Sequence, residues 1–338
     1  MKLTDVVPAT LPYEVDANGD HWFAALDTES RIANSAPWIC PLTDLALIRV
    51  DGADAQSFLH AQFVTDVMQV SATRGQLSAW CTAQGRVSFL FYLWQHADGF
   101  LLCVPRSESA RLMTRLKMFV LRAQVALAEV SDIYGVLGLC VPQTATRPDW
   151  AAGLEATRYA ASTLAQSLLT LCVDDSARFL VCGPIDALAA WWRTHALAAV
   201  GSNTWRLCDI QQGLPVITEI NANAFLPQQL NLDTLGALSF NKGCYPGQEI
   251  VARMKYRGEV KSRLRRGHTA AAAAPGTPCF RAGDSAAHTA GQVISSATLP
   301  AGGCAVLVVA ELAATAPLHL GTPDGPTLTL SPPVAELP

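Results

Sequence analysis

Lys242-Gly243-Cys244-Tyr245-Pro246-Gly247-Gln248-Glu249 sets one cysteine between a glycine-bearing turn and the start of a helix. The apolar run Leu238-Ser239-Phe240 leads into the turn. The spacing predicts a helix over 247–256 that stops at Gly258 in the left-handed cap conformation. A thiol so placed feels the positive end of the helix dipole and the Lys242 ammonium. Both favour the thiolate, the nucleophilic and metal-ligating form. Gly243 and Gly247 let the backbone pass close to a partner without a Cβ in the way. Free cysteine is among the most buried residue types, so the plain alternative is a structural thiol in a tight turn. Polar, charged, glycine-rich flanks are the setting of reactive cysteines and favour the first reading.

The run continues through Ile250-Val251-Ala252-Arg253 and Tyr256-Arg257-Gly258. Upstream lie Phe225-Leu226-Pro227-Gln228, Asn231-Leu232, Trp205, Gly213-Leu214-Pro215-Val216-Ile217 and Gln62-Phe63-Val64-Thr65-Asp66-Val67. Together these stretches resemble the YgfZ family, folate-binding relatives of the glycine-cleavage T-protein (aminomethyltransferase) that assist iron–sulfur proteins. The resemblance runs from about residue 42 to the end, more weakly after Gly258. It implies an α+β fold of three domains in a T-protein-like ring. Mixed and antiparallel α+β units would be followed by a C-terminal antiparallel β-barrel. The domains expected are an extension over 1–36, a folate-binding region over 37–260 and a barrel over 261–338. The middle region would divide into 37–130 with 205–260, and 131–204.

Half the residues are apolar and 15% are charged, enough for a sizeable core in a chain of 338 residues. A formal net charge of −4 points to neither a nucleic-acid nor a membrane protein as a whole. The charge is uneven: residues 253–266 hold seven of the 24 basic residues and one of the 28 acidic ones. Ten cysteines form no Cys-x-x-Cys pair, so no zinc, thioredoxin-like or ferredoxin-like spacing exists, and no metal ligands are assigned. Reduced thiols in a cytosol fit best. Asp5, Glu14, Asp16 and Asp20 speak against a transit peptide, and no apolar run reaches spanning length. The expectation is a cytoplasmic protein, monomeric and not bound to membrane.

Alternation and turn signals predict strands at 45–50, 76–81, 86–94, 100–104 and 125–130, in a largely antiparallel sheet. A helix from 55 ends before Val64. Ser107 is the expected cap of a helix that buries Leu112, Leu116 and Phe119. A second unit starts at 133–139, with 170–173 and 178–182 paired across Asp174-Asp175-Ser176 and a helix over 186–200. Trp22 and Phe23 can anchor a short helix onto the body. Residues 205–212 form a helix closed by Gly213, and the irregular 214–240 is long enough to suggest function. Short apolar runs at 277–281, 290–295, 304–312 and 327–330 suggest the small barrel. His60 and His195 read as packed residues, since no second ligand shares their spacing.

The resemblance implies a tetrahydrofolate site facing Cys244. A pterin needs an apolar or aromatic slot with a few polar groups. Trp205 matches a tryptophan position implicated in folate binding in the family and stands beside the plain reading of a core tryptophan; Tyr245 and Tyr256 are weaker candidates. Arg253 and Arg257 can grip the glutamate tail. Lys261 to Arg266 read equally as a solvated basic face, or as an RNA contact lacking interleaved aromatics. Glu249 is expected to pair with Arg253 at i,i+4, and Gln248 to hold the Cys244 loop. Two departures stand out. The transferase branch has a catalytic aspartate after the first hairpin's glycines, whereas this chain reads Gly85-Arg86-Val87-Ser88-Phe89-Leu90. Gln211-Gln212 stands where the family often has a glutamate.

The leading expectation is a tetrahydrofolate-binding accessory protein for iron–sulfur cluster assembly or repair, with Cys244 as its functional thiol. Its partners would be iron–sulfur client or assembly proteins, and tRNA or a tRNA-modifying enzyme. It would be an enzyme only as a folate-dependent one-carbon transferase. A tRNA-binding module using 253–266 is the third reading.

Overall fold

The computed structural model describes residues 1–17, 19–165, 167–283, 288–314 and 316–332. Two compact units emerge. The first holds residues 1–61, 66–78 and 91–205; the second holds 62–65, 79–90 and 206–338.

The first unit carries a six-stranded sheet in the spatial order Ala161–Ala165, Leu168–Cys172, Arg178–Pro184, Tyr134–Cys140, Trp38–Pro41 and Ala198–Ala199. Its pairs are antiparallel except the last, where Ala198 runs parallel to Trp38. Side chains alternate across a strand, so Ile39, Leu137, Leu139, Phe179 and Val181 share one face. The helix Ile185–His195 covers that face with Leu188 and Trp192. It ends at Ala196 in the left-handed region, earlier than the expected Val200, because residues 198–199 leave to pair with the sheet. Phe23 meets Trp192 edge-on at 6.2 Å, and the helix Leu26–Ser35 follows it. Its buried Glu29 accepts from the Phe23 and Gly201 amides and the Thr204 hydroxyl. His195 packs 4.4 Å from Trp191, with Nδ1 at 2.8 Å from the Trp191 carbonyl.

The opposite face of this sheet carries Gly138. A Cβ there would lie 2.4 Å from the Trp205 ring, so the indole rests on bare strand backbone. Trp38 meets Trp205 edge-on at 6.0 Å, and the Arg178 guanidinium sits 4.5 Å from its ring centroid. Arg178 is 1% exposed and donates from Nε to Asp174 at 2.6 Å and from Nη1 to the Trp205 carbonyl at 3.3 Å. Asp174, read from the sequence as a turn residue, is therefore the buried counter-ion of an arginine under the tryptophan.

A five-stranded antiparallel sheet runs in the order Gln76–Cys81, Val87–His96, Gly99–Pro105, Leu45–Asp51 and Ala126–Glu129. Ala79 to Cys81 and Val87 to Leu90 belong to the second unit. The helix Arg106–Val120 buries Leu112 and Leu116, but its cap is Pro105, not Ser107. Proline pre-sets the extended backbone at that point and displaces the expected hydroxyl cap. Phe119, expected inside, is exposed.

In the second unit Ser262–Thr269, Cys304–Glu311, Gly291–Thr298, Pro278–Arg281, Leu318–Leu320 and Thr327–Leu330 close into a six-stranded barrel. Cys279, Val293, Val306, Val308, Leu318 and Leu328 fill it. The sequence reading missed Ser262–Thr269 because its arginines break the apolar alternation. Yet this strand pairs along all eight residues with Cys304–Glu311. No helix among the described residues is long and apolar enough to cross a membrane.

Gly138→Ala should lower stability by roughly 1–3 kcal/mol in urea unfolding, since its methyl overpacks the Trp205 ring. Gly153→Ala, with nothing within 4 Å of the new methyl, should change it by less than about 0.5 kcal/mol.

Candidate functional site

The site grows from two glycines of the second unit. The hairpin turn at 82–85 closes with the Gly85 amide on the Thr82 carbonyl at 2.9 Å. Gly247 sits on that turn with φ +81°, and a Cβ on it would lie 2.4 Å from the Thr82 oxygen and 2.6 Å from the Gly85 Cα. Only a glycine accommodates both the angle and the contact. Gly247 is the N-cap of the ten-residue helix Gln248–Arg257, one residue later than expected. Gly258 ends that helix in extended rather than left-handed backbone (φ −107°), because the chain turns directly toward the barrel strand Ser262–Thr269.

The loop before the helix is pinned along its length. The Lys242 ammonium donates to the Phe63 carbonyl at 2.5 Å and lies 5.1 Å from the Tyr245 ring. Tyr245 is buried, and burial with the nearby Cys81 pushes its phenol well above the ordinary range. The Gln248 side-chain amide donates to the Lys242 carbonyl at 3.4 Å, and its backbone amide to the Tyr245 carbonyl at 3.2 Å. Gly243 and Cys244 are exposed between these anchors. Six cysteines at 40, 81, 103, 140, 172 and 182 are buried, as is Cys279; Cys208 and Cys304 are half-buried; Cys244 is the exposed one. Burial pushes the thiols of Cys172, Cys182 and Cys279 up to about 12, which keeps them protonated.

The strand after the hairpin is zipped to the loop at 223–225. The Val87 amide donates to the Phe225 carbonyl at 2.8 Å, and the Asn223 amide returns to Val87 at 2.8 Å. Arg86 donates to the Ala224 carbonyl, and the Ser88 hydroxyl to the Asn223 side chain. No carboxylate occupies 85–90.

Arg253, Tyr256 and Arg257 are exposed on the helix Gln248–Arg257. Glu249 is exposed too, and among the described residues it makes no ion pair with Arg253. The expected pair is absent because a solvated i,i+4 contact gains only a few tenths of a kcal/mol. Lys255 instead lies 3.8 Å over the Phe240 ring.

The basic run at 261–266 is largely structural, which corrects its reading as a solvated face. Arg263 forks onto Asp233 at 3.0 Å with both terminal nitrogens and reaches the Gln228 carbonyl at 3.0 Å. Arg265 is 7% exposed and donates to the Ala314 and Ser331 carbonyls. Arg266 donates to the Gln211 carbonyl at 2.8 Å. Gln228 and Asn231 reach the carbonyls of Val251 and Leu264. These polar residues tie the loop to the helix and the barrel, a role that no spacing pattern announces.

Trp205, in the first unit, is 8% exposed, with a ring packed on Gly138, Trp38 and Arg178. It is a core side chain, not an open stacking face. Among the described residues no group of three histidine, cysteine or carboxylate side chains is placed to hold a metal ion.

No protein-family model matches the chain. The tRNA-modifying protein YgfZ of Edwardsiella ictaluri (strain 93-146) is 35% identical over 236 residues, covering 66% of this chain and 68% of that protein. The tRNA-modifying protein YgfZ of Klebsiella pneumoniae (strain 342) is 34% identical over 229 residues, covering 66% and 69%. Among solved structures, glycine cleavage system aminomethyltransferase T from Bartonella henselae shares the fold. It matches with a TM-score of 0.72 over 97% of this chain and 95% of that one, at 13% identity.

Gly247→Ala should cost more stability than Gly213→Ala. Both carry positive φ, worth roughly 1–3 kcal/mol of strain, but only Gly247 also meets backbone atoms. Equal losses in urea unfolding would mean that the hairpin contact contributes nothing.

Proposed function

The chain belongs to the YgfZ family, and from that premise we propose a tetrahydrofolate-binding accessory protein for assembly or repair of iron–sulfur clusters in client enzymes. Its relatives are known as tRNA-modifying proteins, which makes tRNA-modifying enzymes the first clients to test. Cys244 is the functional thiol. The observation that carries this reading is the exposed Cys244 on a loop fixed on both sides by Lys242, Tyr245 and Gly247. A thiol meant for packing would be turned inward like Cys81 or Cys279. A thiol meant for a partner must be reachable and yet held in register, and this one is both.

The fit to folate rests on charge. Arg253 and Arg257 are exposed and, among the described residues, committed to no acceptor, so each can take a carboxylate of the glutamate tail bidentately. Folate when bound supplies one-carbon chemistry. The residues of this chain hold and orient it. Transfer of a carbon at the formaldehyde level needs a group that manages charge on the reacting nitrogen. The stretch 85–90 carries no carboxylate, and its Ser88 is hydrogen-bonded to Asn223, which disfavours the transferase reading.

Cys244→Ser is expected to leave iron–sulfur enzyme activity unrestored in a strain lacking this gene, at unchanged protein level. Full restoration would remove the thiol from the function. In a tetrahydrofolate titration, replacing both Arg253 and Arg257 by Ala should weaken binding by tenfold or more, since a hydrogen bond to a charged group contributes about 1.5–3 kcal/mol. Unchanged affinity would move the tail site elsewhere.

A further inference from the structure

A sheet edge offers a row of unpaired amides and carbonyls, which proteins cover, bulge or charge. The closed barrel has no edge. In the six-stranded sheet the edge strand Ala161–Ala165 is interrupted by a register shift between Thr163 and Ala165. In the five-stranded sheet one edge, Gln76–Cys81, is buried along its whole length. The other edge, Ala126–Glu129, is treated differently. It pairs in unbroken register with Leu45–Asp51 on one side and with no strand on the other. Ala126, Ala128 and Glu129 are exposed and Leu127 is half-buried, with no lysine, proline or bulge among them. The direction of its backbone groups follows from the next residue. The Val130 amide donates to the Leu47 carbonyl at 2.9 Å, so Val130 faces the neighbouring strand. Groups alternate along a strand, so Ala128 and Ala126 face that strand too, and the amides and carbonyls of Leu127 and Glu129 point outward.

We propose that Ala126–Glu129 pairs antiparallel with the same strand of a second copy of this chain, about a two-fold axis through Ala128. Outward groups must meet outward groups. Setting Leu127 opposite the second copy's Glu129 makes two such pairs, each exchanging both backbone hydrogen bonds. Centring on Leu127 instead would set Val125 opposite Glu129, and the Val125 amide is already spent on the Ala123 carbonyl. The axis then falls on a close, non-hydrogen-bonded pair, where Ala128 brings only a methyl. Charge selects this partner and its direction. Lys117, Leu121 and Arg122 are exposed ahead of the strand; Glu129, Asp132 and Ile133 are exposed at its far end. Glu129 takes only a long 3.5 Å bond from Ser109. An antiparallel copy lays the basic end against the acidic one and Leu121 toward Ile133, whereas a parallel copy stacks like on like. Leu121 is 87% exposed and held at φ +44°, a region that bulky residues avoid. A leucine strained and set in water is explained by a contact made outside its own chain. The proposal replaces the monomer expected from the sequence. It uses neither Cys244 nor the arginines of the folate reading.

The test is sedimentation velocity of the full chain over concentrations from about 1 to 200 μM, since a short strand with a small apolar rim makes a modest interface. A monomer–dimer equilibrium should appear within that range. Leu127→Pro removes an outward amide and leaves the pairing with Leu45–Asp51 intact, so it should give a folded monomer. Leu121→Asp, at an exposed helix end, should raise the dimer dissociation constant at least tenfold. Thermal melting of both variants checks that they fold, and Leu121→Asp decides alone if Leu127→Pro does not. Ala128→Cys, made together with Cys244→Ser, should cross-link two chains through the introduced thiols under a mild oxidant, as peptide mass analysis would locate. The close pair spacing of about 4.5 Å between Cα atoms suits a disulfide. The proposal is overturned if the chain stays monomeric at every concentration, which would leave the edge to a strand of another protein. It is overturned equally if the dimer survives Leu121→Asp and a folded Leu127→Pro unchanged, or if no cross-link forms at position 128.

Discussion

The contact between Gly247 and the Thr82–Gly85 turn is the constraint on which the site depends. Two backbones touch where neither can carry a side chain. That contact sets the start of the helix Gln248–Arg257, and with it the direction of the loop before it. Tyr245 goes inward as an anchor, and its neighbour Cys244 is left outside. Burial of an aromatic ring supplies energy of the order of 1.5–3 kcal/mol to hold the exposed residue in place. The exposure of Cys244 therefore draws on packing at Tyr245 and on the bare backbone at Gly85 and Gly247.

The sheets were legible in the sequence where alternation and turn residues coincided. Gln76–Cys81 and the helix Ala55–Gln62 match their expected bounds. The basic run at 261–266 was not legible, because charge alone does not say whether an arginine faces water or a carbonyl. Arg265 is buried on two carbonyls and Arg263 on a carboxylate, and the strand they sit on is the first of the barrel. Helix ends also escaped the reading. Proline at 105 displaced a serine cap, and Gly258 used extended backbone because the next strand, not a turn, follows it. The motif at 242–249 announced an exposed thiol through its flanks. It did not announce that Lys242 would be spent on the Phe63 carbonyl.

The chain shares its fold with an aminomethyltransferase, and its hairpin strand over 85–90 carries no carboxylate. Ser88, Asn223, Val87 and Phe225 are tied to one another there, so the strand serves as a brace. Trp205 shows the same economy: its ring covers Gly138 and a buried Asp174–Arg178 pair, and it is needed for packing whatever else it touches.

Thiol labelling of the native protein addresses the central claim most directly. Limiting iodoacetamide, followed by peptide mass analysis, should modify Cys244 well before any other of the ten cysteines. Fast labelling at Cys208 or Cys304 with Cys244 protected, or labelling only on unfolding, would contradict it.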